Sequence, residues 1–185
     1  ARYVADSSPL PVLATIRTSV EGGEAYLDDD EYCALVRRLA SFAGGVDVEI
    51  SCDGSSALID EVHEAGAIVV ASFHDFEGTP GDEQLAEVLA AMNYAGADVL
   101  KFACMANSAT DAARVLAAQA WAREAYDRPV IGISMGEHGA PTRLVGSALG
   151  SAATFATLPG WQGSAPGQFT VEQVRTVLDV VEGTN

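Results

Sequence analysis

Lysine is almost missing from this 185-residue chain: Lys101 stands alone, and every other basic residue is an arginine. Positive charge as a whole is scarce, with 10 Lys and Arg against 26 Asp and Glu and a formal net charge of −16. Such a surface repels phosphate backbones, which argues against nucleic acid as a partner. It suits a cytosol rich in salt, where screening relieves self-repulsion, and it equally suits a GC-rich genome that exchanges Lys for Arg. No apolar run approaches the ~18 residues of a membrane span, and no basic-then-apolar leader opens the sequence. A soluble, cytoplasmic protein with no membrane partner is expected. Cysteine is sparse: Cys33, Cys52 and Cys104 form no C-x-x-C pair and leave one over in any pairing. That predicts buried thiols in a reducing compartment. His63, His74 and His138 have no ligand spacing with the cysteines or with each other, so no metal site is expected.

What the chain does have is apolar material, 49% of residues with 19% charged, enough for a sizeable core. Short apolar runs alternate with longer helical stretches. Strands are expected at Val12–Ile16, Val46–Ile50, Ile68–His74, Asp98–Met105, Val130–Met135 and Thr154–Leu158. Helices are expected at Asp28–Phe42, Ser55–Ala65, Gly81–Tyr94, Ser108–Tyr126, Pro141–Leu149 and Thr170–Glu182. Strands and helices in alternation predict an α/β fold with a parallel sheet.

A dinucleotide-binding open sheet would carry G-x-G-x-x-G after its first strand; Arg17-Thr18-Ser19-Val20-Glu21-Gly22-Gly23-Glu24 stands there instead. The strands favour a barrel, because each carries polar residues on one face. Residues two apart share a face, which groups Asp47, Glu49 and Ser51, then Ser72 with His74, and sets Lys101 with Val99 and Ala103. These polar residues gather toward strand C-terminal ends, where barrel active sites sit. Six βα units do not close an eight-stranded TIM barrel of ~250 residues. The expectation is a single (β/α)8 barrel domain over residues 1–185 that lacks its first two βα units, with Ala1 to Pro11 as the tail of a preceding helix and loop.

Lys101 is the first candidate for chemistry. A lysine in the middle of an apolar strand loses hydration, and desolvation disfavours its ammonium form. It reads as an amine that attacks a carbonyl and forms a Schiff base, or as a buried cation paired with Asp47 or Glu49. His74 ends the strand before it, where it could take and return a proton near neutral pH or rest against a carbonyl. Arg17 and Arg143 are candidates for bidentate contacts with an anion, each with an ordinary salt bridge as the alternative. Gly163-Ser164-Ala165-Pro166-Gly167-Gln168 is a small-residue loop that lets backbone and two polar side chains approach a ligand. Gly22-Gly23 reads as a flexible loop, Asp28-Asp29-Asp30 as an acidic helix start, and His63 as a solvated helical residue.

Together these segments resemble type I 3-dehydroquinate dehydratase, the Schiff-base enzyme of the shikimate pathway. The resemblance runs through Thr15-Ile16-Arg17 with Glu21-Gly22-Gly23-Glu24, Asp47-Val48-Glu49, Ser72-Phe73-His74-Asp75-Phe76 and Lys101. It continues in Ser134-Met135-Gly136 with Arg143, Gly150-Ser151-Ala152-Ala153-Thr154-Phe155 and Ser164-Ala165-Pro166-Gly167-Gln168. The family's Glu-x-Arg motif on its second strand has no counterpart upstream of Pro11.

The resemblance implies that Lys101 forms an imine, that His74 is the general acid/base and that Glu21 orients it. It implies that Arg17, Arg143, Ser164 and Gln168 hold the substrate's carboxylate and hydroxyls, and that Asp47 and Glu49 line the pocket. It implies a homodimer acting on 3-dehydroquinate with no metal or organic cofactor. Two other readings share part of the pattern. A class I aldolase or transaldolase would use Lys101 alone, and a non-catalytic barrel would bind a small carboxylate without a covalent step.

Overall fold

The computed structural model describes residues 1–161, 163–181 and 183. Its elements run α1 (Arg2–Ser7), β1 (Leu13–Ala14), α2 (Asp29–Ala40), β2 (Gly45–Glu49), α3 (Ser55–Glu64), β3 (Ile68–Asp75), α4 (Asp82–Tyr94) and β4 (Val99–Met105). They continue with α5 (Ala109–Ala125), β5 (Val130–Met135), α6 (Gly136–Gly139), α7 (Thr142–Val145) and α8 (Val171–Val181), with 3-10 turns at Ser19–Glu21 and Gly146–Leu149. The strands take the sheet order β1-β2-β3-β4-β5, which is the sequence order expected of repeated βα crossovers. By contacts the chain forms two compact units, Ala1–His74 with Glu87–Lys101, and Asp75–Ala86 with Phe102 onward.

In the first unit β1 pairs with β2 and β2 with β3, both parallel, with Leu13 beside Gly45 and Glu49 beside Ser72. Every residue of β2 is buried, so its polar face is as dry as its apolar one. Val46 and Val48 are fully buried on one face, and α2 and α3 pack on this strand. Each such side chain contributes about 1.5–3 kcal/mol of burial free energy. The acidic start read at Asp28 is a capping box: its carboxylate accepts from the Glu31 N–H at 2.9 Å, and the Glu31 carboxylate accepts from the Asp28 N–H at 3.2 Å. His63 is not merely solvated. Its Nε2 lies 2.9 Å from Asp98, whose carboxylate also accepts from the Val69 N–H at 2.7 Å, tying α3 to the starts of β3 and β4.

In the second unit α5 packs on β5, with Ser108 capping α5 by accepting from the Asp111 N–H at 3.2 Å. Gln119, fully buried in α5, accepts from the Gly132 N–H at 3.0 Å and donates to the Gly146 and Leu149 carbonyls at 3.0 and 3.2 Å. One amide therefore satisfies backbone from a strand and from the turn at Gly146–Leu149, as a buried polar group requires.

Three expectations are corrected. Thr154–Leu158 is not a strand. Among the described residues only isolated bridges, Val130 with Ser151 and Thr157 with Thr170, form near it. The segment spends its hydrogen bonds elsewhere, with the Thr154 hydroxyl donating to the Arg143 carbonyl at 2.9 Å and the Thr157 N–H to that of Phe169 at 2.9 Å. Pro141–Leu149 is not one helix but α7 followed by a 3-10 turn, and Gly136–Gly139 forms a helical turn of its own. The first strand shrinks from five expected residues to Leu13–Ala14, because the chain leaves the ladder there to carry Arg17 into a cluster of carboxylates. The last helix is described over Val171–Val181; Glu182, placed in it by the sequence, lies outside the described residues. No helix among the described residues is long and apolar enough to cross a membrane.

Candidate active site

The site is assembled in the first unit, on successive strands and the loop after β1. After β1 the chain makes a tight loop: the Ser19 N–H donates to the Ala25 carbonyl at 2.8 Å and the Gly23 N–H to that of Thr18 at 2.7 Å. Gly22 closes the 3-10 turn at φ 81°, a left-handed conformation that favours glycine. Gly23 lies so close to the chain before it that a Cβ would come within 2.1 Å of the Arg17 carbonyl oxygen. The pair read as a flexible loop is thus a constrained turn that aims Arg17 and Glu21 at the same place.

There Arg17 meets three buried carboxylates. Its Nη1 donates to Glu21 at 3.1 Å and to Glu49 at 2.7 Å, and its Nη2 donates to Asp47 at 2.8 Å. Asp47 and Glu49, two apart on β2, project to one side as strand parity requires. Glu49 is held further by the Thr18 N–H at 2.9 Å and hydroxyl at 2.6 Å, while its own N–H donates to the Tyr32 hydroxyl at 2.8 Å. Ser51 donates to Glu21 at 2.5 Å, and the fully buried Ser72 donates to Asp47 at 2.6 Å.

Two strand residues complete the cluster. His74 sits with its Nδ1 2.8 Å from Glu21 and its Nε2 3.1 Å from Lys101 Nζ. Lys101, 6% exposed, also donates to Asp47 at 3.1 Å. Of the two acids the sequence offered as its ion-pair partner, Asp47 takes the lysine, and Glu49 is occupied by Arg17 and Thr18. The amine therefore faces both an acid and a base.

The electrostatics follow from burial and charge. Burial drives the His74 imidazole down to about 3, with Lys101 and Arg17 adding to the effect, so the ring is neutral at physiological pH. Burial raises Glu21 to about 7, against the pull of Ser51 and Arg17. Burial also lowers Lys101, opposed chiefly by Asp47. For Asp47 burial acts upward, but Lys101, Arg17 and the Ser72 hydrogen bond together hold it below the usual carboxylate range. Arg17 is pushed down by burial and up by Asp47, Glu49 and Glu21, and the carboxylates win. With Glu21 ionised, Nδ1–H of His74 donates to it, which leaves the Nε2 lone pair facing Lys101. The arrangement can deliver a neutral amine beside a proton acceptor.

The other expected residues lie in the second unit. Arg143 is 3% exposed, donates through Nη2 to the Pro166 carbonyl at 3.0 Å, and has its guanidinium pushed down by burial. Its Nε is buried with no hydrogen-bond partner among the described residues, as is the Ser134 hydroxyl. Gln168 and Ser164 brace each other: the Ser164 N–H donates to the Gln168 side chain at 3.0 Å, which donates back to the Ser164 hydroxyl at 3.1 Å. Among the described residues no group of three or more His, Cys, Asp or Glu is arranged to hold a metal ion.

Four members of the cluster were missed in the sequence as functional groups: Thr18, Tyr32, Ser51 and Ser72. Parity had put Ser51 with Asp47 and Glu49, and Ser72 with His74, so a signal existed for those two. Thr18 and Tyr32 reach Glu49 from a loop and from a helix, and no periodicity announces such contacts.

A family model described as type I 3-dehydroquinase matches residues 2–185. A 3-dehydroquinate dehydratase of Klebsiella pneumoniae is 41% identical over 177 residues, which is 93% of this chain and 70% of that protein. The crystal structure of 3-dehydroquinate dehydratase from Geobacillus kaustophilus aligns with a TM-score of 0.88 at 36% identity, covering 94% of this chain and 68% of that one. A type I 3-dehydroquinate dehydratase of Clostridium difficile, solved with covalently modified comenic acid, aligns at 0.86 and 32% identity over 95% of this chain and 70% of that one.

Proposed function

The chain belongs to the type I 3-dehydroquinase family, and from that premise we propose that it dehydrates 3-dehydroquinate to 3-dehydroshikimate through an imine on Lys101, with His74 as general acid and base. The observation that carries this reading is the 3.1 Å separation of Lys101 Nζ and His74 Nε2 inside a buried cluster.

Loss of water β to a ketone requires removal of a weakly acidic α proton. In the proposed sequence neutral Lys101 attacks the ketone and water leaves, giving an imine whose protonated nitrogen is an electron sink. His74 Nε2 takes the α proton, and the electron pair moves into an enamine. The same proton then goes to the departing β-hydroxyl, which leaves as water, and hydrolysis of the imine frees the lysine. The net change is one water lost. A general acid/base of this kind contributes about 10²–10⁴ in rate, and the imine supplies much of the remainder.

Glu21 is the positioning residue for His74, since its carboxylate sits 2.8 Å from Nδ1. Asp47 and Glu49 line the pocket and, with Arg17, fix its charge. Arg17 has one Nη on Glu21, Glu49 and Ser72 and the other on Asp47; its remaining Nη2 and Nε donors are assigned to the substrate. Arg143, Ser164 and Gln168 are assigned to the carboxylate and hydroxyls on the family's pattern. A net charge of −16 repels a carboxylate substrate, so local guanidinium groups are needed to hold it. The same reading makes the protein a cytoplasmic homodimer in the shikimate pathway.

Conversion of 3-dehydroquinate, followed by the ultraviolet absorbance of the enone product, tests this directly. Turnover by the wild type and its loss in Lys101→Ala are expected. An undiminished rate in Lys101→Ala would overturn the imine route.

A further inference from the structure

We propose that Ser72 is a positioning residue that tunes Lys101 through Asp47, drawing the carboxylate's charge onto the oxygen turned away from the amine. The inference rests on the imine reading above and deepens it, because an amine must be neutral to attack a ketone.

The geometry is specific about which way each bond runs. Arg17 has donors only, so the 3.1 Å contact from its Nη1 makes the Ser72 hydroxyl an acceptor there. The single hydroxyl proton then goes to Asp47 Oδ1, at 2.6 Å. That same oxygen accepts from Arg17 Nη2 at 2.8 Å. The other oxygen, Oδ2, accepts from Lys101 Nζ at 3.1 Å, longer than the ~2.7–2.9 Å usual between a cation and a carboxylate. Asp47 thus has two short donors on Oδ1 and a longer contact to the lysine on Oδ2. Both Asp47 and Ser72 are fully buried, so the carboxylate does not find water to replace a lost donor at little cost.

Everything charged around Lys101 bears on the outcome. Asp47 on β2 and Glu21 after β1 favour the ammonium, Arg17 disfavours it, and the His74 ring on β3 is neutral. Glu49 is bound to Arg17 and Thr18. Asp47 is the member in direct contact with the amine, and the Ser72 bond on Oδ1 limits how much of its charge the amine receives. Without that hydroxyl Oδ1 keeps only the Arg17 donor, more of the carboxylate's charge falls to Nζ, the ammonium is held more tightly, and nucleophilic amine appears only at higher pH. A hydrogen bond to a buried carboxylate is strong enough to move the midpoint by about one pH unit.

The chain's composition supplies a clean probe. Lys101 is the sole lysine, so a trace of acetic anhydride acylates one side-chain amine, which peptide mass spectrometry separates from the N-terminus. The rate of Lys101 acetylation across pH gives its titration without substrate or turnover. In Ser72→Ala the midpoint is expected about one unit above the wild type. Ser72→Cys, close in size with a weak donor, is expected to shift the same way. The pH at which half-maximal imine is trapped with 3-dehydroquinate and borohydride is expected to rise in parallel. A folded Ser72→Ala or Ser72→Cys whose acetylation midpoint coincides with the wild type overturns the inference, whatever its thermal stability. If the wild type traps no imine while acetylation still shifts in the variants, the imine reading fails and the tuning of Lys101 by Ser72 stands.

Discussion

Removing the Arg17 guanidinium perturbs the cluster where its charges are most concentrated. Arg17→Met keeps most of the side chain's length and deletes the cation that Glu21, Asp47 and Glu49 share. Those side chains are 3%, 0% and 2% exposed, and that of Arg17 itself 18%, so solvent screens the contacts little. At an effective dielectric of ~20, unit charges ~4 Å apart attract by about 4 kcal/mol, and most of that gross gain offsets desolvation. Breaking a buried pair by deleting one partner costs about 3–5 kcal/mol, which is large against a total stability of about 5–15 kcal/mol. The loss depends on pH in a defined direction. Without Arg17 the Asp47 carboxyl rises from below the usual carboxylate range and Glu21, already raised to about 7, is pushed further up, so the folded state holds protons that the unfolded chain releases. Stability linked to a raised pKa is present at low pH and disappears as pH climbs through the folded value. The gap between wild type and variant is therefore widest at neutral pH and narrows toward pH 5. Urea unfolding followed by circular dichroism at pH 5 and pH 7 measures both quantities. A loss below ~1 kcal/mol at pH 7, the scale of a surface ion pair, would refute the view that Arg17 neutralises a dry carboxylate cluster; so would an equal loss at both pH values.

His74→Ala is expected to lower turnover by about 10²–10⁴ while imine still forms on Lys101, read as rate against trapped mass; an unimpaired variant removes His74 from the mechanism. The imidazole resonances of His74 are expected to stay those of a neutral ring from pH 8 down to pH 5, because its folded pKa lies at about 3 against an ordinary 6.5. The stability His74 contributes is complete above pH 6.5 and lost as pH falls toward 3. Glu21, raised from 4.5 to about 7, acts in the opposite sense, its contribution complete below 4.5 and lost as pH rises through 7. Gly23→Ala is expected to lower both stability, by about 1–3 kcal/mol, and activity, since its Cβ would lie 2.1 Å from the Arg17 carbonyl oxygen and the turn would have to move. A variant with wild-type melting temperature and rate would show that the turn does not depend on that close approach.

Strand parity carried most of what was legible in the sequence. It put Asp47 with Glu49, Ser72 with His74, and Arg17 and Lys101 on polar faces; Arg17 now bonds Asp47, Glu49 and Ser72, and Lys101 bonds Asp47 and His74. Helix ends were readable where a cap is chemical, as at Asp28 and Ser108. Thr154–Leu158 failed because its apolar composition says nothing about where its N–H groups find acceptors. Gly22-Gly23 was misread for a related reason. Composition distinguishes a permissive residue from a restrictive one, but only the fold reveals that permissiveness serves a close approach rather than mobility. The choice of Asp47 over Glu49 as the lysine's partner depended on Thr18, which satisfies Glu49 from a loop.

Borohydride reduction in the presence of 3-dehydroquinate, followed by peptide mass spectrometry, addresses the role of the lone lysine most directly. A reduced adduct on the peptide containing Lys101, absent from Lys101→Ala, is the predicted result. Product formation with no adduct at that residue would contradict covalent catalysis by this chain.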